Sequence, residues 1–117
     1  MLIVDDNADA ADTLAMVFEM AGYPVQVGHS VGDALALLDE TRPAAALLDI
    51  GLPDGNGYDL ARAVHERAAD ATLIAVTGWG SPSDRLHSQQ AGFQHHFTKP
   101  ADPYSLLELV DHACMDR

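Results

Sequence analysis

Short apolar runs alternate with stretches of helical periodicity along the whole chain. Five of the runs have the length of a strand, and most are continuously apolar, which is typical of strands covered on both faces of a sheet. The predicted strands are residues 2–4, 25–27, 44–48, 73–76 and, with a weaker pattern, 94–97.

Helical periodicity and end signals predict five helices between and after these strands. The first helix ends at Gly22, and its predicted buried face consists of Ala10, Leu14, Val17, Phe18 and Ala21. The second begins at Ser30, which together with Asp33 three residues later has the form of a capping box, and the third covers about residues 58–68. Polar caps followed by proline at 81–84 and 102–103 predict the starts of the fourth and fifth helices.

This alternation of strands and helices predicts the fold. Short connections between strand and helix require parallel strands joined by right-handed crossovers. We therefore expect one domain over residues 1–117, a flavodoxin-like, three-layer, doubly wound α/β fold. Its five-stranded sheet has the order 2-1-3-4-5 in this prediction.

Acidic residues dominate the charge, with eighteen Asp and Glu against six Lys and Arg and a formal net charge of -12. A surface of this sign does not favour direct binding to nucleic-acid phosphates. Membrane insertion is not expected, because no apolar run approaches the roughly 18 residues that suggest a span. One cysteine, Cys114, excludes an internal disulfide. The first residues show no export signal, so the expected location is cytoplasmic.

Polar side chains stand where four of the five predicted strands end. Asp5 and Asp6 follow the first strand, Asp49 the third, Thr77 the fourth, and residues 98–100 the fifth. Ligands of open parallel sheets bind beyond the carboxyl ends of the strands, at the point where the strand order reverses. The first and third strands are neighbours across that point, so Asp5, Asp6 and Asp49 are expected to converge in one cleft.

The chemistry of this set of residues points to phosphoryl transfer. Three close carboxylates repel one another unless they bind a proton or a cation, and an all-oxygen site with few ligands suits Mg²⁺. Lys99, the only lysine, and the hydroxyl of Thr77 are expected near Asp49, where Gly78 leaves room for a bulky group. A carboxylate nucleophile with a metal, an ammonium and a hydroxyl is what phosphorylation of an aspartate needs.

Four short motifs follow one another at characteristic separations. They are LIVDDN at 2–7, LLDIGLP at 47–53 with Gly57 after it, VTG at 76–78, and TKP at 98–100. Each motif is weak alone, but together and in this order they are highly specific. Over essentially the whole chain the sequence resembles a response-regulator receiver domain of bacterial two-component signalling.

The resemblance implies a phosphoacceptor and a metal site. Asp49 would accept the phosphoryl group. Asp6, Asp49 and the backbone carbonyl of Gly51 would bind Mg²⁺, with Asp5 acting directly or through water. Such a domain is not an enzyme acting on other substrates, since its chemistry is phosphotransfer to itself followed by slow autodephosphorylation.

The same resemblance implies phosphoryl-binding residues and partners. Thr77 and Lys99 would bind the phosphoryl oxygens, and a cis peptide at Lys99-Pro100 would aim the lysine. The donor would be a phosphohistidine on a histidine kinase or a histidine phosphotransfer domain. Phosphorylation would then alter the face made by the fourth helix, fifth strand and fifth helix, and so control a downstream effector.

The chain departs from the common receiver pattern at His96. Receivers usually carry an aromatic residue, often Tyr, three residues before the lysine of the fifth strand, and His96 occupies that position. A histidine can also swing between inward and outward rotamers, although with less apolar gain. We expect His96 to serve as the switch residue, and an exposed histidine without that role is the alternative.

Three short local motifs suggest that the chain comes from a larger protein. Gly78-Trp79-Gly80, His95-His96 and residues 101–103 look closer to receivers of hybrid histidine kinases than to receivers joined to DNA-binding domains. The first strand also begins almost at Met1. Both features suggest a receiver excised from a hybrid histidine kinase, with a free-standing receiver as the alternative.

Two other functional classes remain as alternatives to a signalling domain. An aspartyl-phosphate phosphatase of the haloacid dehalogenase type needs a second Asp two residues after the nucleophile, and Gly51 stands there. A flavin-binding electron carrier of the same sheet order needs a hydroxyl-rich phosphate loop after the first strand. Asp5 and Asp6 stand there instead and would repel the flavin phosphate.

We predict that Trp79 controls the lifetime of the phosphorylated state more than Gly51 does. In receivers, the positions two residues beyond Thr77 and two beyond Asp49 flank the path of the attacking water, and here they hold Trp79 and Gly51. A large indole would shield the acyl phosphate, so Trp79→Ala should decay faster than the parent when loss of the phosphoryl group is followed with time. Equal decay rates for the two proteins would contradict this prediction.

Overall fold

The computed structural model describes residues 1–40, 43–50, 57–68, 70–77, 90–98 and 102–115, with backbone only for 77, 98 and 113–115. Five strands form one parallel sheet in the order β2-β1-β3-β4-β5, which confirms the prediction. The strands are β1 (Leu2–Val4), β2 (Gln26–Gly28), β3 (Ala45–Asp49), β4 (Thr72–Thr77) and β5 (His95–Thr98).

The described residues contain four α-helices of the five predicted. They are α1 (Ala8–Met20), α2 (Val31–Glu40), α3 (Gly57–Arg67) and α4 (Pro103–Met115), of which α4 corresponds to the fifth predicted helix. The fourth predicted helix falls largely on residues 78–89, which lie outside the described residues. Among the described helices, none has the length together with the apolar character that a bilayer crossing needs.

The sheet separates two apolar layers. On one face, Val4 and Leu48 pack with Val64 of α3 and with residues of α2. On the other face, Ile3 and Leu47 pack with residues of α1 and α4. Neighbouring residues of one strand therefore point into different layers, which explains why these strands are apolar at consecutive positions.

The buried face of α1 differs from the predicted set. Leu14 and Phe18 are buried as expected, but Ala11 and Ala15 are buried in place of Ala10, Val17 and Ala21. Both sets form a single helical stripe that includes Leu14 and Phe18, but the buried stripe continues on the side of Ala11 and Ala15, whereas the predicted stripe lay on the opposite side of these two residues. Ala21 is exposed because the helix has already ended there.

The ends of α1 are set by local hydrogen bonds. Asn7 caps the N-terminus, since its side chain accepts the N–H of Ala10 at 3.2 Å. At the other end Gly22 has a φ of +96°, and the Gly22 and Tyr23 N–H groups donate to the carbonyls of Glu19 and Phe18. This double hydrogen bond is a Schellman motif, which requires the left-handed conformation that glycine adopts without strain.

The predicted cap of the fifth helix is present, and so is the Ser30 half of the predicted capping box of the second, whereas the Asp33 carboxylate accepts the backbone N–H of His29. The Ser30 hydroxyl accepts the N–H of Asp33 at 3.1 Å at the start of α2. Before α4, the two carboxylate oxygens of Asp102 accept the Tyr104 N–H and the Ser105 hydroxyl. Short polar side chains such as these hydrogen-bond to the nearby backbone, which disfavours them inside a helix and stabilises the start of one.

The last strand begins at His95, one residue later than predicted, because Gln94 uses its side chain as well as its backbone to bond with Leu73 of β4. Its N–H donates to the Leu73 carbonyl at 2.9 Å, while its side-chain oxygen accepts the Leu73 N–H at 2.7 Å. The side chain thus replaces a backbone acceptor at the start of the β4–β5 pair.

We expect Phe18→Ala to lower the free energy of unfolding by about 3–5 kcal/mol, because it removes a fully buried ring from the α1 layer. Met20→Ala, on the same helix but 85% exposed, is the matched control and should change it by no more than about 0.5 kcal/mol. Urea denaturation measures both values. Similar losses in the two variants would contradict the described packing.

Candidate acidic site

Three carboxylates meet at the carboxyl edge of the sheet. Asp5 and Asp6 follow β1, and Asp49 is the last residue of β3, the strand next to β1. One carboxylate oxygen from each residue lies within 4.8 Å of the other two. The residues Asp5 and Asp49 are 4% and 7% exposed, whereas Asp6 is exposed. The structure therefore brings together the three residues that the sequence placed in one cleft.

Hydrogen bonds to the end of β1 hold Asp5 in place. Its N–H donates to the Gly28 carbonyl of β2 at 3.1 Å, and its Oδ1 accepts the Asn7 N–H at 3.0 Å. Asn7 in turn caps α1. One oxygen of Asp5 is therefore engaged with the backbone that leads into α1, and the carboxylate cannot reorient without breaking this turn.

The end of β3 is held by close contact with the first residue of α3. The Gly57 N–H donates to the Ile50 carbonyl at 2.9 Å. A Cβ at position 57 would lie 2.7 Å from the Ile50 Cα and 2.8 Å from the Asp49 carbonyl oxygen. These distances are too short for any side chain, so only glycine lets α3 begin directly against the backbone of Asp49.

His29 also reaches this edge, and the sequence analysis did not identify it. The ring nitrogen Nδ1 of His29 lies 3.1 Å from the Asp5 carbonyl oxygen. The backbone N–H of His29 donates to Oδ2 of Asp33 at 3.1 Å. It directly follows β2, the one strand whose end was not assigned a polar group. That position was the available signal, since the same rule applied to every strand end would have included it.

The other predicted site residues are described only partly or not at all. Thr77 is the last residue of β4, but only its backbone is described. His96 lies in β5 opposite Ala75 of β4 and is half-buried. The remaining predicted site residues lie outside the described residues, namely Gly51, Gly78, Trp79, Lys99 and Pro100. The roles assigned to all of these residues stay predictions.

The carboxylate cluster fits a magnesium ion. Mg²⁺ prefers oxygen ligands at about 2.0–2.1 Å, so two oxygens on one ion lie no more than about 4.2 Å apart. Oxygens within 4.8 Å of one another need only small side-chain rotations to reach that spacing. Water would fill the remaining positions, as is usual for Mg²⁺ in proteins.

Sheet order and acidic edge together define a flavodoxin-like α/β domain with an acidic pocket at its switch point. A family model described as the response regulator receiver domain matches residues 1–111. The chain belongs to this family, whose members are receiver domains of two-component response regulators and bind Mg²⁺ at an acidic pocket.

Curated relatives include full-length regulators. The acid tolerance regulatory protein ActR of Rhizobium meliloti (strain 1021) is 32% identical over 110 residues. The alignment covers 94% of this chain and 57% of ActR. The chain therefore spans a little more than half the length of that relative.

Solved receiver structures superpose over nearly the whole chain. A CheY-like receiver domain protein from Methanospirillum hungatei JF-1 is 32% identical with a TM-score of 0.90, covering 99% of this chain and 96% of that one. A response regulator from Burkholderia pseudomallei is 26% identical with a TM-score of 0.86, covering 99% and 73% respectively. The Burkholderia crystal structure contains a phosphorylated aspartic acid, a calcium ion and citrate.

Gly57→Ala should lower the free energy of unfolding by about 1–3 kcal/mol, because the added methyl group collides with the backbone of Asp49 and Ile50. The matched control is Gly32→Ala, an exposed position in α2, which should be neutral or stabilise the domain by up to about 1 kcal/mol. Chemical denaturation of both variants measures the difference. A stabilised Gly57→Ala protein would contradict the close approach of α3 to the site.

Proposed function

We propose that this domain is the phosphoacceptor of a two-component phosphorelay. It accepts a phosphoryl group on Asp49 from a phosphohistidine of a histidine kinase or a histidine phosphotransfer domain. The observation that carries the proposal is the cluster of three carboxylate oxygens within 4.8 Å, built on adjacent strand ends. A receiver domain needs such a cluster to hold a cation beside the acceptor.

Asp49 is the proposed nucleophile because the residue that ends the third strand is the phosphoacceptor position of the receiver pattern. Asp6 is exposed at the rim, whereas Asp49 is buried. Asp49 ends the central strand β3 and is 7% exposed, so its oxygen is largely shielded from competing water. In the proposed step an Asp49 oxygen forms a bond to phosphorus while the bond from phosphorus to the donor histidine nitrogen breaks, and that nitrogen leaves with the electron pair.

Asp5, Asp6 and Asp49 would hold Mg²⁺ together with the backbone carbonyl of Gly51. When bound, the ion supplies positive charge that offsets the charge of the transferring phosphoryl oxygens. Asp5 would act directly or through a water molecule. Support comes from the burial of Asp5 and Asp49, because two shielded carboxylates next to an exposed third gain most from a shared cation.

Thr77 and Lys99 would bind the phosphoryl oxygens, with Gly78 leaving room for the group and a cis peptide at Lys99-Pro100 aiming the lysine. The strand register supports this arrangement. Asp49 pairs with Val76, the residue before Thr77, and Thr77 pairs with Thr98, the residue before Lys99. The backbones of β3, β4 and β5 therefore reach the same edge of the sheet.

Phosphorylation would be read out on the face formed by the fourth predicted helix, β5 and α4, with His96 as the switch residue. His96 stands in β5 and is half-buried as a residue. Its position between interior and surface is what a side chain that exchanges inward and outward rotamers requires. The state of this face would control a downstream effector, and slow autodephosphorylation would end the signal.

Residues 1–117 would form one receiver domain that acts in the cytoplasm and has no enzymatic role beyond its own phosphotransfer and dephosphorylation. This proposal applies equally to a receiver excised from a hybrid histidine kinase and to a free-standing receiver. The crystal structure of the Burkholderia pseudomallei relative contains a phosphorylated aspartic acid and a calcium ion, which supports aspartate phosphorylation and binding of a divalent cation as the chemistry proposed here.

We expect the parent protein, incubated with acetyl phosphate and Mg²⁺, to gain one phosphoryl group by intact-mass measurement. Asp49→Asn should gain none, because the amide is not a nucleophile under these conditions. Asp39→Asn is the matched control, since it removes an exposed carboxylate paired with Arg67 and should leave phosphorylation unchanged. A chelator should suppress the adduct in the parent.

The phosphoacceptor assignment fails if Asp49→Asn carries the adduct to the same extent as the parent. An adduct that forms equally in the presence of the chelator would instead contradict the role of the cation.

A further inference from the structure

We propose that His29 is a positioning residue for the divalent cation site, acting through the Asp5–Asp6 peptide. This inference rests on the proposed function, because it concerns the same acidic cluster. The observation behind it is the contact between the His29 ring and the main chain of β1, with Nδ1 lying 3.1 Å from the Asp5 carbonyl oxygen. A carbonyl oxygen only accepts, so Nδ1 must carry the proton and donate.

The His29 ring contacts the carbonyl at which the β1–β2 ladder would next place a backbone donor. In the β1–β2 pair, the Gln26 N–H donates to the Met1 carbonyl and the Asp5 N–H donates to the Gly28 carbonyl. Continuing this parallel pattern would make the N–H of residue 30 the donor to the Asp5 carbonyl. At this position the chain turns into α2, where the Ser30 hydroxyl accepts the Asp33 N–H. The His29 ring places a donor at the same Asp5 carbonyl.

This hydrogen bond orients the peptide that carries Asp6. The Asp5 carbonyl and the Asp6 nitrogen belong to one planar unit, so a donor fixed on the carbonyl fixes the direction in which Asp6 leaves β1. On its far side the same segment is held by the Asn7 N–H, which donates to Asp5 Oδ1 at 3.0 Å. Asp6 is exposed and lies between these two attachments. Removing one of them frees the peptide to rotate and moves the Asp6 carboxylate away from Asp5 and Asp49.

His29 is itself held from the other direction. Its N–H donates to Oδ2 of Asp33 at 3.1 Å, and the Asp33 N–H donates to the Ser30 hydroxyl. The Asp33 carboxylate thus reaches back to the residue before the cap, rather than to the cap itself as in the common capping box. The start of α2 therefore fixes the backbone of His29 and limits where its ring can lie.

The experiment compares Mn²⁺ binding by parent, His29→Ala and His29→Asn proteins. Free Mn²⁺ is followed by its electron paramagnetic resonance signal in a buffer without phosphate. Removing a residue that orients the ligands of a metal site typically lowers metal affinity by about 10–100-fold. His29 contacts a backbone carbonyl and not a ligand side chain, so its effect should lie near the lower end of that range. We therefore expect His29→Ala to bind Mn²⁺ about tenfold more weakly than the parent.

His29→Asn separates positioning from other roles of the imidazole. The side-chain nitrogen of Asn stands at the same bond separation from Cβ as His Nδ1, so this variant can keep the donor while losing the ring. It should bind Mn²⁺ within about threefold of the parent, with most of the tenfold loss rescued. His65→Ala, which removes an exposed histidine from α3, is the matched control and should bind like the parent.

Each result decides between the alternatives. His29→Ala binding as tightly as the parent would overturn the inference. Equal weakening in His29→Ala and His29→Asn would also overturn it, because the ring rather than the Nδ1 donor would then matter. A parent that binds no Mn²⁺ would refute the proposed metal site, and the inference with it. Thermal unfolding in metal-free buffer checks that the Ala and Asn variants are equally folded, so that a difference in Mn²⁺ affinity between them reports on the site.

Discussion

The reversal of strand order between β1 and β3 is the constraint on which the rest of this structure depends. The chain leaves β1 to form β2 on one side and returns to place β3 on the other. The helices after β1 and β3 therefore cover opposite faces, α1 on one and α3 on the other. Between them the two strands end side by side, and the carboxylates at these ends converge without any long loop to carry them.

Helix capping and site construction share the same residues. Asn7 caps α1 with its side chain while its backbone N–H holds Asp5. Asp33 belongs to the cap of α2 while its carboxylate holds the backbone of His29. Gly57 begins α3 while its N–H holds the residue after Asp49. Because each helix begins at the edge where a strand ends, the hydrogen bonds that start the helices also limit movement at the acidic cluster.

The elements that the sequence predicted correctly are those in which a residue type has one strongly preferred structural role. Continuous apolar runs predicted buried parallel strands, and Gly22, Ser30 and Asp102 predicted helix ends that the structure contains. The convergence of the three carboxylates followed from strand order alone. These features depend on local chemistry and on a general rule of sheet topology, so they can be predicted from the sequence alone.

Features that depend on distance between separate segments could not be predicted in the same way. The buried stripe of α1 depends on how the helix is rotated against the sheet, and small alanines at 10, 11, 15 and 21 do not distinguish the possible rotations. The need for glycine at 57 appears only when α3 meets the backbone of β3. The contact of His29 depends on where β2 ends, at Gly28, two residues before the residue whose N–H would continue the ladder.

One contact joins regions that are far apart in the chain. The hydroxyl of Tyr23, just after α1, donates to the carboxylate of Asp111 in α4, across 88 positions of sequence. The Tyr23 ring also meets Phe18 edge to face, with ring centroids 5.9 Å apart. The bond can form only when α4 lies against the segment that follows α1. It therefore distinguishes a fully folded domain from one in which the sheet is complete but the last helix has not yet docked.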